Sequence, residues 1–424
     1  MKLLIYSHFF APSVGGVETI VALLARQLSE IHLAQPRGDK WDVVVATKTP
    51  ANEFDDHAFP FRVVRAPSSL QLWRLIRWAD VTHVAGPSLL PMFLAKLAGK
   101  PYVVEHHGYQ AICPNGVLIH QPDRAICPGH FQAGHYGACL RCQQQEMSLP
   151  SALSKLFLMF PRHSLSCKAD SNIAITHHSL ARHRLPRAQV IYYGIESLRT
   201  GAAPPCPEPR RVRPMSASSQ PQEFPAKQNE IQSSDSPREP HDTNNEPPNF
   251  AYVGRFVPEK GLDVLLGAAR RLKSDGCRFQ VLLIGDGPER ANLEAAIASN
   301  DLQDVARITG FLHGPALAEQ MNSVDAVVMP STWEETAGLS AIEQMMRGRL
   351  VIASDIGGLG EIVADTGLKF PAGDAAALAA QMKKVIHRIA EVPALGEAAQ
   401  ARARALFQAD RMTADHASAY QKLL

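Results

Sequence analysis

Two carboxylates, Glu335 and Glu343, stand eight positions apart in the stretch WEETAGLSAIEQMMRG (333–348), directly after an apolar run, DAVVMPS (325–331). Between them lies a turn of small residues, Thr336-Ala337-Gly338. A helix starting near Gly338 would aim unpaired amides and the positive end of its dipole at the strand end, which suits a phosphate. Small residues at Ala337 and Gly338 let backbone approach such a ligand closely. Glu335 would stand beside the group attached to the phosphate. Glu343, two turns in, would point toward a ribose, whose vicinal hydroxyls one carboxylate can accept together. Taken singly, Glu335 reads equally as part of a helix cap and Glu343 as part of a solvated face.

A second stretch, VGRFVPEKG (253–261), puts Arg255 and Lys260 directly after another apolar run. Two cations on a strand-end loop can neutralise a diphosphate without a metal ion. Ordinary solvated loop cations are the plainer reading, and the match with the acid pair favours the functional one.

These residues need a framework that carries them on strand ends. The first half alternates strand-like runs with helical segments: KLLIYSH (2–8), DVVVATK (42–48), FRVVRA (61–66), VTHVAG (81–86), PYVVEHH (101–107), SNIAIT (171–176) and QVIYYG (189–194), with helical spacing in VETIVALLARQLSE (17–30). Near-continuous apolar strands between helices indicate parallel sheets covered on both faces. Residues 199–249 then hold 11 of the chain's 31 prolines and almost no large apolar side chains, the composition of a disordered linker. Alternation resumes at FAYVGR (250–255) and continues through QVLLIG (280–285), VARITG (305–310), AVVMPS (326–331) and LVIASD (350–355), ending in an Ala-rich helical pattern over 396–423. The expected organisation is an N-terminal domain over 1–198 with a Cys-rich insertion at 108–148, the linker, a C-terminal domain over 250–405, and a final helix over 406–424 packing back on the first domain. In open sheets of this kind ligands bind at the carboxyl ends of strands, so the natural site is the cleft between the domains.

The bulk composition, 46% hydrophobic, suits a soluble globular protein. The chain has 424 residues and a net charge of +2, which gives no case for nucleic acid. The first 198 residues carry 19 Lys and Arg against 13 Asp and Glu, a bias that fits an anionic acceptor or membrane surface, or simply a solvated one. The N-terminal apolar run is too short for a signal peptide, and no stretch reaches the ~18–20 apolar residues of a membrane span. Seven cysteines, an odd number, suit a reducing, cytoplasmic compartment. Four of them, Cys113, Cys127, Cys139 and Cys142, are spaced C-x13-C-x11-C-x2-C within a Gly-, Pro- and His-rich insertion. That insertion needs a staple. A structural zinc would supply it, with reduced thiols or a labile disulfide as the alternatives. SALSKLFLMFPRHS (151–164) is strongly apolar with basic neighbours and suits either a membrane surface or a helix packed inside the domain.

The motifs GRFVPEKG, LLIGDGPERANLE, VMPSTWEETAGLSAIEQMMRG, VIASDIGGLGEIV and the N-terminal GGVE together resemble the family-4 retaining glycosyltransferases. The resemblance implies an α/β chain of GT-B fold, with two Rossmann-like doubly wound domains facing a central cleft. It implies that Arg255 and Lys260 hold the donor diphosphate, Glu335 faces the donor sugar and Glu343 the ribose. The amides of Gly338 and Leu339 would meet the phosphate. Gly15 and Gly16 would approach the donor from the first domain, and His107, in EHHG, would lie beside the transferred sugar. The sequence departs from the family where Ala337 replaces a usual aromatic, where GGLGE (357–361) lacks a proline, and where YYG (192–194) replaces NG. Partners implied are a UDP-, GDP- or ADP-sugar and a carbohydrate or lipid-linked acceptor, with peripheral membrane contact. No cofactor is implied for catalysis, since no Asp-x-Asp motif occurs. The favoured scheme is front-face attack with no dedicated general base. A sugar-nucleotide epimerase of the same fold and a non-catalytic sugar-nucleotide binder are the alternatives.

Overall fold

A computed structural model describes residues 1–13, 15–34, 41–52, 54–196 and 247–424. The Pro-rich segment expected as a linker lies outside the described residues except for 247–249, and so does Cys206. Among the described residues fifteen strands form three sheets. In the first domain they are β1 (Lys2–Ser7), β2 (Asp42–Thr47), β3 (Arg62–Arg65), β4 (Val81–Ala85), β5 (Tyr102–His106), β6 (Ile119–His120), β7 (Ala125–Ile126), β8 (Ser171–Ala174) and β9 (Ala188–Val190). In the second they are β10 (Asn249–Val253), β11 (Gln280–Ile284), β12 (Ala306–Gly310), β13 (Ala326–Met329), β14 (Leu350–Ser354) and β15 (Leu368–Phe370).

The first large sheet runs β3-β2-β1-β4-β5-β8-β9 and the second β12-β11-β10-β13-β14-β15. Every pairing in both is parallel. The apolar runs are the reason. Leu3, Leu4, Ile5, Val45, Val103 and Val104 are fully buried, as are Val281, Leu283, Val327, Val328, Val351 and Ile352, so both sheet faces need a helical cover. In each sheet the chain reverses direction of winding beside its first strand, between β1 and β4 and between β10 and β13. Loops leaving such a pair of strands diverge and leave a crevice.

Three features were not legible beforehand. β15 is a three-residue edge strand, too short for a pattern. The Cys-rich insertion carries the small antiparallel hairpin β6-β7 and a helix, Tyr136–Gln144. The Ala-rich C-terminal pattern is two helices, Val392–Leu406 and Ala409–Gln421. They break because Gln408 bridges Ile195 of the first domain: Ile195 donates its amide to Phe407 O at 2.9 Å, and Ala409 donates to Ile195 O at 3.0 Å. The final helix then lies against the helix Gly16–Ala34 of the first domain. Phe407, Met412 and Tyr420, all fully buried, join an apolar cluster that continues through Tyr193 to Ala337, Ile342 and Leu359 of the second domain.

The long apolar helix spans Leu149–Cys167 and runs through Pro161. It buries Ala152, Leu156 and Met159 inward while Leu149, Leu153, Phe157 and Phe160 remain exposed. It is therefore packed within the domain on one face and apolar toward solvent on the other. Among the described residues no helix is long and apolar enough to cross a membrane.

The crossing at residue 408 gives a direct test. A Cβ added at Gly194 would stand 2.4 Å from Gln408 O, whereas one at Gly137, in a helix, meets nothing closer than 3.9 Å. Gly194→Ala is expected to cost about 1–3 kcal/mol in urea denaturation, because backbone must shift. Gly137→Ala is expected to be neutral or stabilising by about 0.5–1 kcal/mol.

Candidate active site

The two motifs lie on the two loops at the reversal point of the second sheet. Residues 254–261 leave β10 and residues 330–338 leave β13, its neighbour. This topology, invisible in the spacing of 75 residues between Lys260 and Glu335, brings the Lys260 ammonium to 2.9 Å from Glu335 Oε1. Lys260 also lies over the ring of Trp333 at 6.0 Å. Glu335 is buried and its Oε1 accepts a hydrogen bond from the hydroxyl of Ser331. Arg255 is exposed, and among the described residues no side-chain partner is found for its guanidinium. The loop is anchored beneath it, where Tyr252 donates its hydroxyl to Arg255 O at 2.8 Å.

The helix after this loop is Leu339–Met346, with Gly338 as its first flanking residue and no side-chain cap. Glu335 is thus not a capping residue. Gly338 has φ +90°, a left-handed conformation that favours glycine, and it packs against Leu359. Glu343 lies one further turn along and is half-buried, and burial pushes its carboxyl up, with Arg347 opposing.

The first domain reaches the same place. An added Cβ on Gly16 would sit 3.5 Å from Leu339 Cδ2, so the Gly15-Gly16 turn touches the start of that helix. His107 follows β5. Its Nδ1 lies 2.6 Å from the Tyr193 hydroxyl, and its Nε2 lies 3.5 Å from Glu105 Oε2. Burial holds its ring below the usual histidine range despite Glu105, so it is neutral at pH 7. The structure thus brings Gly16, His107, Lys260, Glu335, Gly338 and Leu339 to one cleft.

Several residues that hold this geometry were given no role by the sequence. Thr336 donates its hydroxyl to His107 O at 3.0 Å, and Thr336 O accepts from the Thr176 hydroxyl at 2.7 Å. Glu334 pairs with Arg182 at 2.9 Å, and Glu361 accepts from the amides of His177 and His178 at 2.9 and 2.8 Å and from the Tyr192 hydroxyl at 2.6 Å. The Gly357-Gly358 pair makes room for the loop. A Cβ at Gly358 would fall 2.3 Å from Thr336 O, and its amide donates to Glu335 O at 2.6 Å. A Thr or Glu in a strand-end loop is common, so only the fold distinguishes these.

Cys113, Cys127, Cys139 and Cys142 are all buried, and the other three thiols are all near enough to act on Cys139. Among the described residues no set of three of these sulfurs lies within metal-sharing distance. Asn115 stands between two of them, accepting from Cys113 Sγ at 2.9 Å and donating to Cys142 Sγ at 3.6 Å. Burial, then the neighbouring thiols, pushes Cys139 up to about 12.

Residues 233–402, two-fifths of the chain, match the family model described as Glycosyl transferases group 1. A 2-deoxystreptamine glucosyltransferase of Streptomyces kanamyceticus is 36% identical over 173 residues, covering 40% of this chain and 43% of that protein. An amylovoran biosynthesis glycosyltransferase, AmsK, of Erwinia amylovora is 31% identical over 173 residues, covering 39% and 42%. The matched stretch therefore spans about two-fifths of the length of these relatives. Anabaena HepE, solved in complex with UDP and glucose, superposes over 100% of both chains with a TM-score of 0.67 at 16% identity. The fold is GT-B, and the second domain carries the sequence pattern of glycosyl transferases group 1.

Thr176 offers a test of how the domains are held. It also caps the helix His177–His183 through Ser179 N. Thr176→Val is expected to lower stability by about 1–3 kcal/mol, combining a lost cap and a lost buried hydrogen bond. A fall in the urea midpoint without a change in slope would show it.

Proposed function

We propose that the protein is a retaining glycosyltransferase that moves a sugar from a nucleoside-diphosphate sugar to a glycan, lipid-linked or small-molecule acceptor, with no metal ion on the diphosphate. One observation carries the reading. Lys260, Glu335 and an uncapped helix start, drawn from two loops at a reversal point, face Gly16 and His107 of the other domain across one cleft. The UDP and glucose bound in HepE, and the transfer activities named for the group 1 relatives, support a nucleotide-sugar donor.

The chemistry follows from charge. As the bond from the sugar's C1 to the phosphate oxygen breaks, negative charge grows on the leaving diphosphate. Arg255, Lys260 and the amides of Gly338 and Leu339 are fixed donors for that charge, so they stabilise the transition state more than the ground state. Positive charge grows on the sugar, where Glu335 stands. Glu335 also holds the Lys260 ammonium in place before the donor arrives. The acceptor hydroxyl attacks from the face the diphosphate leaves, and its proton passes to a diphosphate oxygen. Retention of configuration follows from this same-face order. Neutral His107, held between Tyr193 and Glu105, serves as a positioning group beside the sugar. Glu343 takes the ribose hydroxyls.

The setting we propose is assembly of a surface or exported glycan at the cytoplasmic face of a membrane. The AmsK relative supports a glycan acceptor. The outward row Leu149, Leu153, Phe157 and Phe160, with Phe93 and Leu97 exposed on the helix Leu89–Leu97, supports contact with lipid. Cosedimentation with anionic vesicles should capture the protein, and Phe157→Glu with Phe160→Glu should release it. Equal partition of both would remove the membrane part of the proposal.

Incubation with labelled UDP-, GDP- and ADP-sugars tests the activity. Transfer or slow hydrolysis is expected, whereas interconversion of sugars or binding without turnover would overturn it. Glu343→Ala should raise the nucleotide Kd about 10- to 100-fold. Lys260→Ala should lower kcat about 100-fold or more with a smaller effect on binding. Because burial raises the Glu343 carboxyl, its ionised form is lost on acidification earlier than an ordinary glutamate's. Nucleotide affinity should therefore fall as pH drops toward the carboxylate range, and Glu343→Gln should flatten that profile in calorimetric titrations.

A further inference from the structure

Beneath His107 lies a sealed polar cluster that the proposed reaction does not use. His83 on β4, Glu105 on β5 and His416 on the helix Ala409–Gln421 are each fully buried. His83 Nε2 is 3.2 Å from Glu105 Oε2, and His416 Nε2 is 3.4 Å from Glu105 Oε1. One donor atom from each residue lies within 4.8 Å of the other two, the one such group among the described residues. Yet neither carboxylate oxygen and neither Nε2 makes a hydrogen bond. A carboxylate buried without such partners is costly.

The outer nitrogens explain which atoms face inward. His416 Nδ1 lies 2.8 Å from Met412 O, and a carbonyl only accepts, so Nδ1 carries the proton. In the neutral ring Nε2 is then a lone pair pointed at a carboxylate. Two electron-rich atoms so placed in a dry pocket repel unless a cation joins them. His83 Nδ1 lies 2.9 Å from the Tyr420 hydroxyl, which fixes that ring as well. Imidazoles held at one nitrogen by a carbonyl or hydroxyl, with the other turned inward, are the pattern of metal-bound histidine. Residues 412, 416 and 420 share one helix face, so a single helix supplies a ligand and both outer partners. A tetrahedral zinc with bonds of about 2.0–2.1 Å separates its ligand atoms by about 3.4 Å, close to the spacings seen.

We propose that His83, Glu105 and His416 form a buried site for a divalent transition metal, with zinc as the ion this ligand set suits best. Glu105 and the two imidazoles supply three ligands, with His107 Nε2 also present 3.5 Å from Glu105 Oε2. The pocket leaves no open position toward solvent, so the ion's role is structural. It ties the last helix of the chain to the two central strands that carry His107. This site is separate from the diphosphate-binding loops and implies no metal there.

The full chain, prepared without a histidine tag, should carry about one zinc per molecule by elemental analysis, or take it up when titrated with zinc alone. Cobalt titration should give ligand-field bands of a nitrogen and oxygen site with no sulfur charge-transfer band. Chelation should lower the Tm of the wild type and leave His416→Gln unmoved. His416→Gln should lose the metal, whereas Cys139→Ser with Cys142→Ser should keep it. Failure of folded wild-type protein to bind zinc or cobalt, a sulfur charge-transfer band, or unchanged stoichiometry in His416→Gln would each overturn the proposal. Where His416→Gln does not fold, the cobalt spectrum of the wild type decides between these ligands and the cysteines.

Discussion

The site depends on one constraint: the backbone of residues 334–336 is clamped from three sides. Thr176 and His107 of the first domain hold Thr336 through its carbonyl and its hydroxyl, and the Gly358 amide holds Glu335 O. Each bond is buried or half-buried, where an unmade partner costs more than a made one gains. A carboxylate displaced by an ångström would neither reach Lys260 nor leave the helix start open. The clamp makes the acid's position a property of two domains, since neither alone supplies all three contacts.

From that clamp the electrostatic layout follows. Glu335 is buried beside Lys260, so the pair is compensated in the absence of a ligand, while Arg255 stays exposed at the rim. In the proposed reaction an entering diphosphate would meet one cation at the surface and a second held deeper by a carboxylate. This ordering stores positive potential without leaving a buried charge unpaired. The neutral state of His107 fits the same logic, because a third cation beside a sugar that becomes positive would oppose the reaction.

The helix Ala409–Gln421 ties the frame together. The chain leaves the second domain, pairs with Ile195, and ends against the first domain with Tyr420 beside His83. The second domain's C-terminal segment thus braces the strands that present His107. Relative movement of the domains must therefore flex around residues 406–409 and the 334–336 contact, while each parallel sheet stays rigid.

Much of the fold was legible in the sequence because parallel strands buried on both faces leave unbroken apolar runs, and amphipathic helices leave a period between them. VGRFVPEKG and WEETAGLSAIEQMMRG marked their loops because only a strand followed by charged and small residues gives that pattern. Local chemistry therefore determined which residues could bind a diphosphate. What only the tertiary structure decided is which of them meet. Strand order put Lys260 and Glu335, 75 positions apart in the chain, together, and domain packing recruited Thr176, Thr336 and Glu361. It also set Asn115 between Cys113 and Cys142. The physical reason is range: hydrophobic period and loop composition act over a few residues, whereas a site is made by contacts between segments far apart in the chain. Glu105 shows the boundary, for a glutamate inside PYVVEHH signals a buried charge, but nothing in the string reveals that His83 and His416 would face it.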